Sequence, residues 1–285
     1  MDDCIEHQMI NQKLEVDMAA KSKIAMVAGR ASHNRGAHEH PAGCSLLAAL
    51  LNEYVEDVEA VVHRGWPEDP NAFEDAAAIV IYSDGGERHI VIPHLDQVAD
   101  LMKSGVGLAM LHYAVEVPKG KPGDCFLDWI GGYFEMHLSV NPHWVAEFTS
   151  FPEHPVMLGV RPFSMEDEWY FHMRFRENMA GVTPLLSAIA PNSTMQRPDG
   201  PHSGNPNVRR AVANKEPQHL AWCVERKDGG RGLGFTGGHF HNNWANDDLR
   251  KFILNSIIWT AKLEVPEEGI STPTPTQQQL DAYLD

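Results

Sequence analysis

Three continuous apolar runs constrain this chain more than any other feature. Residues 23–28 (KIAMVA), 77–83 (AAIVIYS) and 106–111 (VGLAML) contain no polar residue in their centres and are bounded by polar loops. A strand with one wet face alternates apolar and polar residues, whereas a continuous run is covered on both faces. Helical spacing lies between the runs. Leu46, Leu47, Leu50, Leu51 and Tyr54 fall on one helical face, and Val58–Val62 is a shorter strand. Pro93 opens a helix with Leu95, Val98, Ala99 and Met102 on one side and Gly105 as its stop. Strand and helix in this rhythm imply βαβ units, and so an α/β fold with a mainly parallel central sheet.

The second half is less regular. Residues 125–134 read as a helix, and 144–148, 167–173 and 182–189 as strands. Residues 191–219 are a polar excursion rich in Pro, Asn, Gly and Ser. Segments 221–225 and 232–236 pair around Asp228-Gly229-Gly230, and 244–263 closes the fold as a helix. The expected organisation is one domain, 21–264, with an N-terminal tail, 1–20, and an extended C-terminal tail, 265–285.

Charge removes two classes of partner. With 23 Lys and Arg against 39 Asp and Glu, the net charge is −16. Neither a phosphate backbone nor an anionic membrane is an expected partner. Four scattered cysteines form no CxxC, so neither a disulfide framework nor a cysteine zinc site is expected. The first twenty residues lack the apolar core of a signal peptide, and no run approaches the roughly 20 apolar residues of a membrane span. A cytoplasmic location is the expectation, although a trimmed precursor would read the same way.

Familiar motifs fail on context. Gly232-x-Gly234-x-x-Gly237 spells a dinucleotide fingerprint but no helix opens at its third glycine, so no nucleotide cofactor is expected. His38-Glu39-x-x-Ala42 lacks the second histidine of a zincin motif, and no GxSxG or P-loop occurs.

Histidine is the informative residue. Of 16 in the chain, 15 lie between His33 and His241. In open parallel sheets, ligands bind outside the carboxyl ends of the strands. His33, His38 and His40 follow the first strand, His112 follows the fourth, and His239 and His241 follow the last. Residues distant in sequence therefore converge on one rim. His137, after a Gly-Gly turn, joins them. So does 167–173, which as a strand would place Glu168, Tyr170 and His172 on one face. Three imidazoles within residues 33–40 fit either a solvated loop or a Zn²⁺ or Mn²⁺ site completed by a carboxylate or water. Trp169, Tyr170 and Trp244 are core candidates whose aromatic faces also suit a sugar ring.

The residues then resemble a known family. Ser32-His33, Gly107-Leu108-Ala109-Met110-Leu111-His112, Gly131-Gly132-Tyr133-Phe134, His154-Pro155-Val156, Asp167-Glu168-Trp169-Tyr170 and Gly238-His239 with Trp244 are similar to the ThuA-like (trehalose-utilisation) family over about residues 23–263. The resemblance implies a flavodoxin-like three-layer sandwich of the class I glutamine amidotransferase-like kind. Where amidotransferases carry a nucleophilic cysteine, this chain has His112, with Cys125 well downstream, so glutaminase activity is not expected. The resemblance also implies catabolism of disaccharides through 3-keto intermediates made by a partner sugar 3-dehydrogenase.

A ketone at C3 acidifies the C2 proton, which allows elimination of the aglycone from C1 and rehydration. Such a reaction needs a base, an acid and an electrophile for the enolate. The expected catalytic residues are His112, His137, Glu168, His172 and His239, with His33, His38 and His40 as metal ligands. Tyr113, Tyr170, Arg174, His241 and Trp244 are expected on the substrate. Without a metal, Arg174 and Arg176 would be the electrophiles. The expected ligand is a small sugar, with homo-oligomerisation as a further expectation. A non-catalytic carbohydrate-binding module and a metal-dependent hydrolase of another small substrate are the alternatives.

Overall fold

The computed structural model describes residues 20–284; the expected N-terminal tail falls almost wholly outside them. The strands expected from the apolar runs form β1 (Ser22–Ala28), β3 (Ala76–Tyr82) and β4 (Gly107–Leu111), with β2 at Val58–Arg64. Helix α1 spans His40–Tyr54 and α2 spans Leu95–Lys103. Two further strands, β10 (Pro217–Glu225) and β11 (Arg231–Phe235), form the expected antiparallel pair, and β9 (Val182–Ile189) lies beyond β10. The seven run in the order β2-β1-β3-β4-β11-β10-β9. The five from β2 to β11 are mutually parallel. This is a mixed α/β fold with a large, mainly parallel central sheet.

Continuous apolar strands feed two cores, one on each face. Met26, Val80 and Leu111 pack on one side with Leu47 and Leu51 of α1 and Phe252, Ile253 and Ile257 of α5 (Asp247–Thr260). Val27, Ile79, Ile81 and Met110 pack on the other with Val98 and Met102 of α2 and Phe126 and Ile130 of α3 (Lys121–Ile130). Each such side chain contributes roughly 1.5–3 kcal/mol on burial. Asn246 starts α5, its Oδ1 accepting from the Leu249 N–H at 2.9 Å.

Four expectations change. The helix expected at 125–134 begins earlier and stops at Ile130, because Gly131 turns left-handed (φ 83°) into a short strand, β5 (Gly132–Tyr133), paired with β8 (Arg174–Phe175). The strand expected at 167–173 is displaced: β7 is Phe163–Asp167, antiparallel to β6 (Trp144–Phe148). Residues 168–173 are irregular, with a single bridge from Phe171 to Val140. The excursion 191–219 holds α4 (Pro206–Ala213). Finally, the extended C-terminal tail is instead packed down. Val265, Ile270 and Leu280 are buried, and α6 (Gln277–Asp281), closed by a Thr276–Gln279 capping box, lies against α1. Among the described residues, no helix is long and apolar enough to cross a membrane.

The chain leaves β1 toward β2 on one side and reaches β3 on the other. Such a reversal opens a crevice at the carboxyl ends of the strands.

Candidate functional site

Four side chains meet in that crevice. His38 Nε2 lies 3.1 Å from His112 Nε2 and 3.0 Å from His239 Nδ1. Glu168 Oε2 lies 3.0 Å from His239 Nδ1, 3.6 Å from His112 Nε2 and 3.9 Å from His38 Nε2. All three imidazoles are buried. The Tyr170 hydroxyl is 3.2 Å from His112 Nε2 and 3.3 Å from Glu168 Oε2.

Each member is fixed by its local backbone. His112 immediately follows β4, and its Nδ1 donates to the Thr236 carbonyl at 2.8 Å, just beyond the neighbouring β11. His38 ends the loop after β1. Its Nδ1 donates to Asp84 Oδ1 at 3.0 Å, while Ser32 Oγ donates to the same oxygen at 2.8 Å. His239 is delivered by Gly237-Gly238. A Cβ on Gly237 would come within 2.4 Å of the Trp169 ring, and Gly238 has φ 102°. Both positions therefore favour glycine.

Beneath these residues sits Asp167, with no exposed surface. Its carboxylate accepts from the N–H groups of Glu168 (2.7 Å), Gly238 (2.9 Å) and His239 (3.0 Å), and from Asn243 Nδ2 (2.9 Å). One carboxylate thus ties the segment carrying Glu168 to the one carrying His239.

Burial opposes ionisation of Glu168, but hydrogen bonding with His112, His239 and His38 outweighs it and holds the carboxyl far below its ordinary range. For Asp84 burial also pushes upward, and His38 and Ser32 bring the carboxyl down to about 2. Burial lowers His112. It also opposes the charged form of His38, yet the Asp84 and Glu168 carboxylates raise that imidazole.

Glu168 and His239 line an open cleft of about 780 Å³, together with His33, Asn34, Arg35, His143, Phe240 and Asn242, while His38 and His112 are buried against them. A smaller hollow of about 280 Å³ shares His143 and Glu168 and is walled by Asn141, Ser193, Thr194 and Arg197. Asn141 Nδ2 donates to Glu168 Oε1 at 3.0 Å.

The expected residues divide clearly. His38, His112, Glu168, His239 and Tyr170 come together. His33 stands exposed, its ring 3.8 Å from that of His38, and Tyr113 lies 5.8 Å from the same ring. The others lie elsewhere. His40 is buried, its Nδ1 donating to the Arg30 carbonyl and its Nε2 3.8 Å from Asp84 Oδ1, and it lies outside the four converged donor atoms. His137 is exposed on a turn, with its carbonyl bound by Asn205. His172 has φ 58° and turns its Nδ1 to the Leu138 carbonyl; the irregular backbone after Asp167 breaks the expected alternation beyond Tyr170. Arg174 pairs with Glu135 at 2.8 Å, and Arg176 binds the carbonyls of Leu127 and Asp128. His241 donates to the Leu280 carbonyl, and Trp244 is fully buried against Tyr82. Cys125 lies half-buried in α3, its thiol raised by burial.

Asp84, Asp167 and His143 went unselected. Asp84 stands two residues beyond β3, where the reasoning that selected His112 applies equally. Asp167 and His143 carry no such signal, since their positions depend on the irregular turns around β6 and β7.

Comparison with known proteins agrees with this architecture. A ThuA-like protein from Bacteroides uniformis ATCC 8492 superposes with a TM-score of 0.57 at 14% identity, over 85% of this chain and 92% of that one. A ThuA-like protein from Parabacteroides merdae ATCC 43184 gives 0.56 at 14% identity, over 91% and 98%. A search of curated proteins gave no match. The family model ThuA, described as trehalose utilisation, matches residues 25–260, and the chain belongs to that family.

Proposed function

We propose that this protein is an enzyme of sugar catabolism that acts on a glycoside or disaccharide oxidised at C3, with the reacting ring held over Glu168. The observation that carries this reading is the convergence of three imidazoles and one carboxylate at the carboxyl ends of the parallel strands, with Glu168 and His239 opening onto a cleft. The strand order and the helices on both faces support a flavodoxin-like three-layer sandwich of the class I glutamine amidotransferase-like kind. In that frame His112 occupies the turn that would otherwise present a cysteine.

Elimination is favoured over direct hydrolysis by the state of Glu168. A direct glycosidase needs a carboxylic acid with a raised pKa to protonate the leaving group. Glu168 is held ionised, and Glu166 is the other carboxylate in the cleft. Removal of an acidic C2 proton instead needs a base beside the cleft. His143 is half exposed, its Nε2 3.8 Å from Glu168 Oε1, and it borders both hollows. The C1–O bond then breaks, the aglycone oxygen takes a proton, and water adds back across the C1–C2 double bond. Oxidation at C3 must come first, supplied by a sugar 3-dehydrogenase.

The test follows aglycone release from matched 3-keto and parent glycosides in deuterated solvent. Turnover of the keto compound alone, with deuterium incorporated at C2, is the expected result. Equal turnover of the parent, or cleavage without label, removes the elimination.

A further inference from the structure

We propose that His38 Nε2, His112 Nε2, His239 Nδ1 and Glu168 Oε2 together hold one divalent transition-metal ion. The inference deepens the enzymatic reading, on which the ion's use rests, but its binding is testable without any substrate.

The argument is a count of protons. A carbonyl oxygen only accepts, so the proton of neutral His112 is on Nδ1, facing Thr236. Asp84 Oδ1 accepts from Ser32 Oγ and lies 3.0 Å from His38 Nδ1, so the proton of neutral His38 is on Nδ1 as well. Both rings therefore present bare Nε2 lone pairs to each other, 3.1 Å apart. Glu168 adds an ionised oxygen. Only the Tyr170 hydroxyl and one ring nitrogen of His239 can bring a proton to this point. The short approaches number five: His38–His112, His38–His239, His239–Glu168, Tyr170–His112 and Tyr170–Glu168. With neutral rings these buried lone pairs face one another, and a bound cation would satisfy them.

Geometry distinguishes an ion from an extra proton. A proton bridges two atoms, whereas here four donor atoms surround one point. Five of their six separations run from 3.0 to 3.9 Å, and all lie within 4.8 Å. Bonds of about 2.0–2.1 Å in a tetrahedron place ligands about 3.3 Å apart, within that range. Three neutral imidazoles and one carboxylate suit Zn²⁺ or Mn²⁺. The outer contacts, Asp84 to His38 and Thr236 to His112, are those that orient ligating histidines.

A second group, His33, His38 and Asp84, offers donor atoms at close range. Asp84 Oδ1 there accepts protons from Ser32 and His38 at 2.8 and 3.0 Å, a relay complete in hydrogen bonds. One ion per chain is therefore expected. When bound, it would supply the electrophile for enolate charge that the elimination requires.

The experiment uses tag-free full-length protein, stripped with a chelator and titrated with Zn²⁺ and with Mn²⁺ alone, using calorimetry and mass spectrometry. One equivalent of at least one metal is expected. Affinity should fall roughly 10–100-fold in Asp84→Asn, as for other outer partners of ligating histidines. It should fall further in His112→Ala and Glu168→Gln, and stay unchanged in the exposed control His137→Ala. Because a core variant can misfold, the unaltered protein is also followed by ¹⁵N histidine NMR. The ion should shift the Nε2 signals of His38 and His112 and leave their Nδ1 protons in place. Absence of retained metal with those signals unmoved overturns the site. Binding lost in His33→Ala but kept in Glu168→Gln also overturns it, as do two equivalents per chain. Metal binding without turnover of keto-glycosides would refute the proposed reaction and leave the site standing.

Discussion

Asp167→Asn tests whether the buried carboxylate holds the site together. The native oxygens receive three backbone N–H groups and one side-chain amide, at 2.7–3.0 Å, with no exposed surface. Asparagine keeps one oxygen and replaces the other with an NH₂ that cannot accept. If Oδ1 is kept, Glu168 N–H and His239 N–H retain their acceptor. Gly238 N–H and Asn243 Nδ2 then face another donor. A buried donor left unsatisfied costs about 1–3 kcal/mol; Asn243 Nδ2 keeps the Glu166 carbonyl at 2.9 Å, so the expected loss, from Gly238 N–H, is about 1–3 kcal/mol. That is a large share of the roughly 5–15 kcal/mol by which a domain is stable. Urea unfolding of the wild type and Asp167→Asn, with Glu166→Gln as the neighbouring control, measures it. A loss below about 1 kcal/mol would show that the segments carrying Glu168 and His239 are held by something else.

Other expectations follow from particular groups. Cys125→Ser should retain whatever turnover the wild type shows, because the thiol lies in α3 away from the converged side chains; a folded but inactive variant refutes this. Gly237→Ala should destabilise the fold by about 1–3 kcal/mol, the usual cost of overpacking, because its Cβ would meet the Trp169 ring at 2.4 Å; thermal unfolding at wild-type temperature contradicts that. Burial lowers His89 to about 4, with Nε2 donating to Ala114 and Nδ1 accepting from Val91. The unfolded imidazole, near 6.5, binds a proton that the folded one refuses, so this contribution is complete above about pH 6.5 and shrinks as pH falls toward 4. In His89→Gln the loss of unfolding free energy between pH 7 and 4.5 should be smaller than in the wild type, and an identical loss would falsify the assignment.

The framework was legible because it depends on local pattern. Residues 23–28, 77–83 and 106–111 are apolar through their centres, and burial on both sheet faces is what such runs require. The strand ends were legible for the same reason, which brought His38, His112 and His239 into view before any coordinates. Glu168 and Tyr170 were found through a strand that does not exist there. They remain together because a two-residue step survives the turn after Asp167, while His172, one step further, does not. His40 shows the opposite failure. It lies two residues from His38, but it is the first residue of α1, and the helix carries its ring down to Arg30 and Tyr82. Nearness in sequence suggested a shared metal site; the change from loop to helix leaves the ring centres 5.4 Å apart, with His40 outside the converged donor atoms.

Backbone conformation explains how so much polarity was brought inward. His33, His38 and His112 all have positive φ, at 67°, 51° and 55°. Left-handed backbone at a residue other than glycine costs roughly 1–2 kcal/mol, so three such residues oppose folding by several kcal/mol. Nothing in packing alone demands histidine there, since glycine would adopt these angles without the Cβ penalty. What histidine adds is a ring. At His112 the turn begins immediately after β4, and the ring reaches the Thr236 carbonyl beyond β11. At His38 the ring spans the gap from Asp84 to His239. Strain of this kind persists where surrounding contacts over-determine it, and functional sites are where it collects. Two of these strained residues, His38 and His112, belong to the converged cluster, where the proposed ion would use the rings that the strain positions.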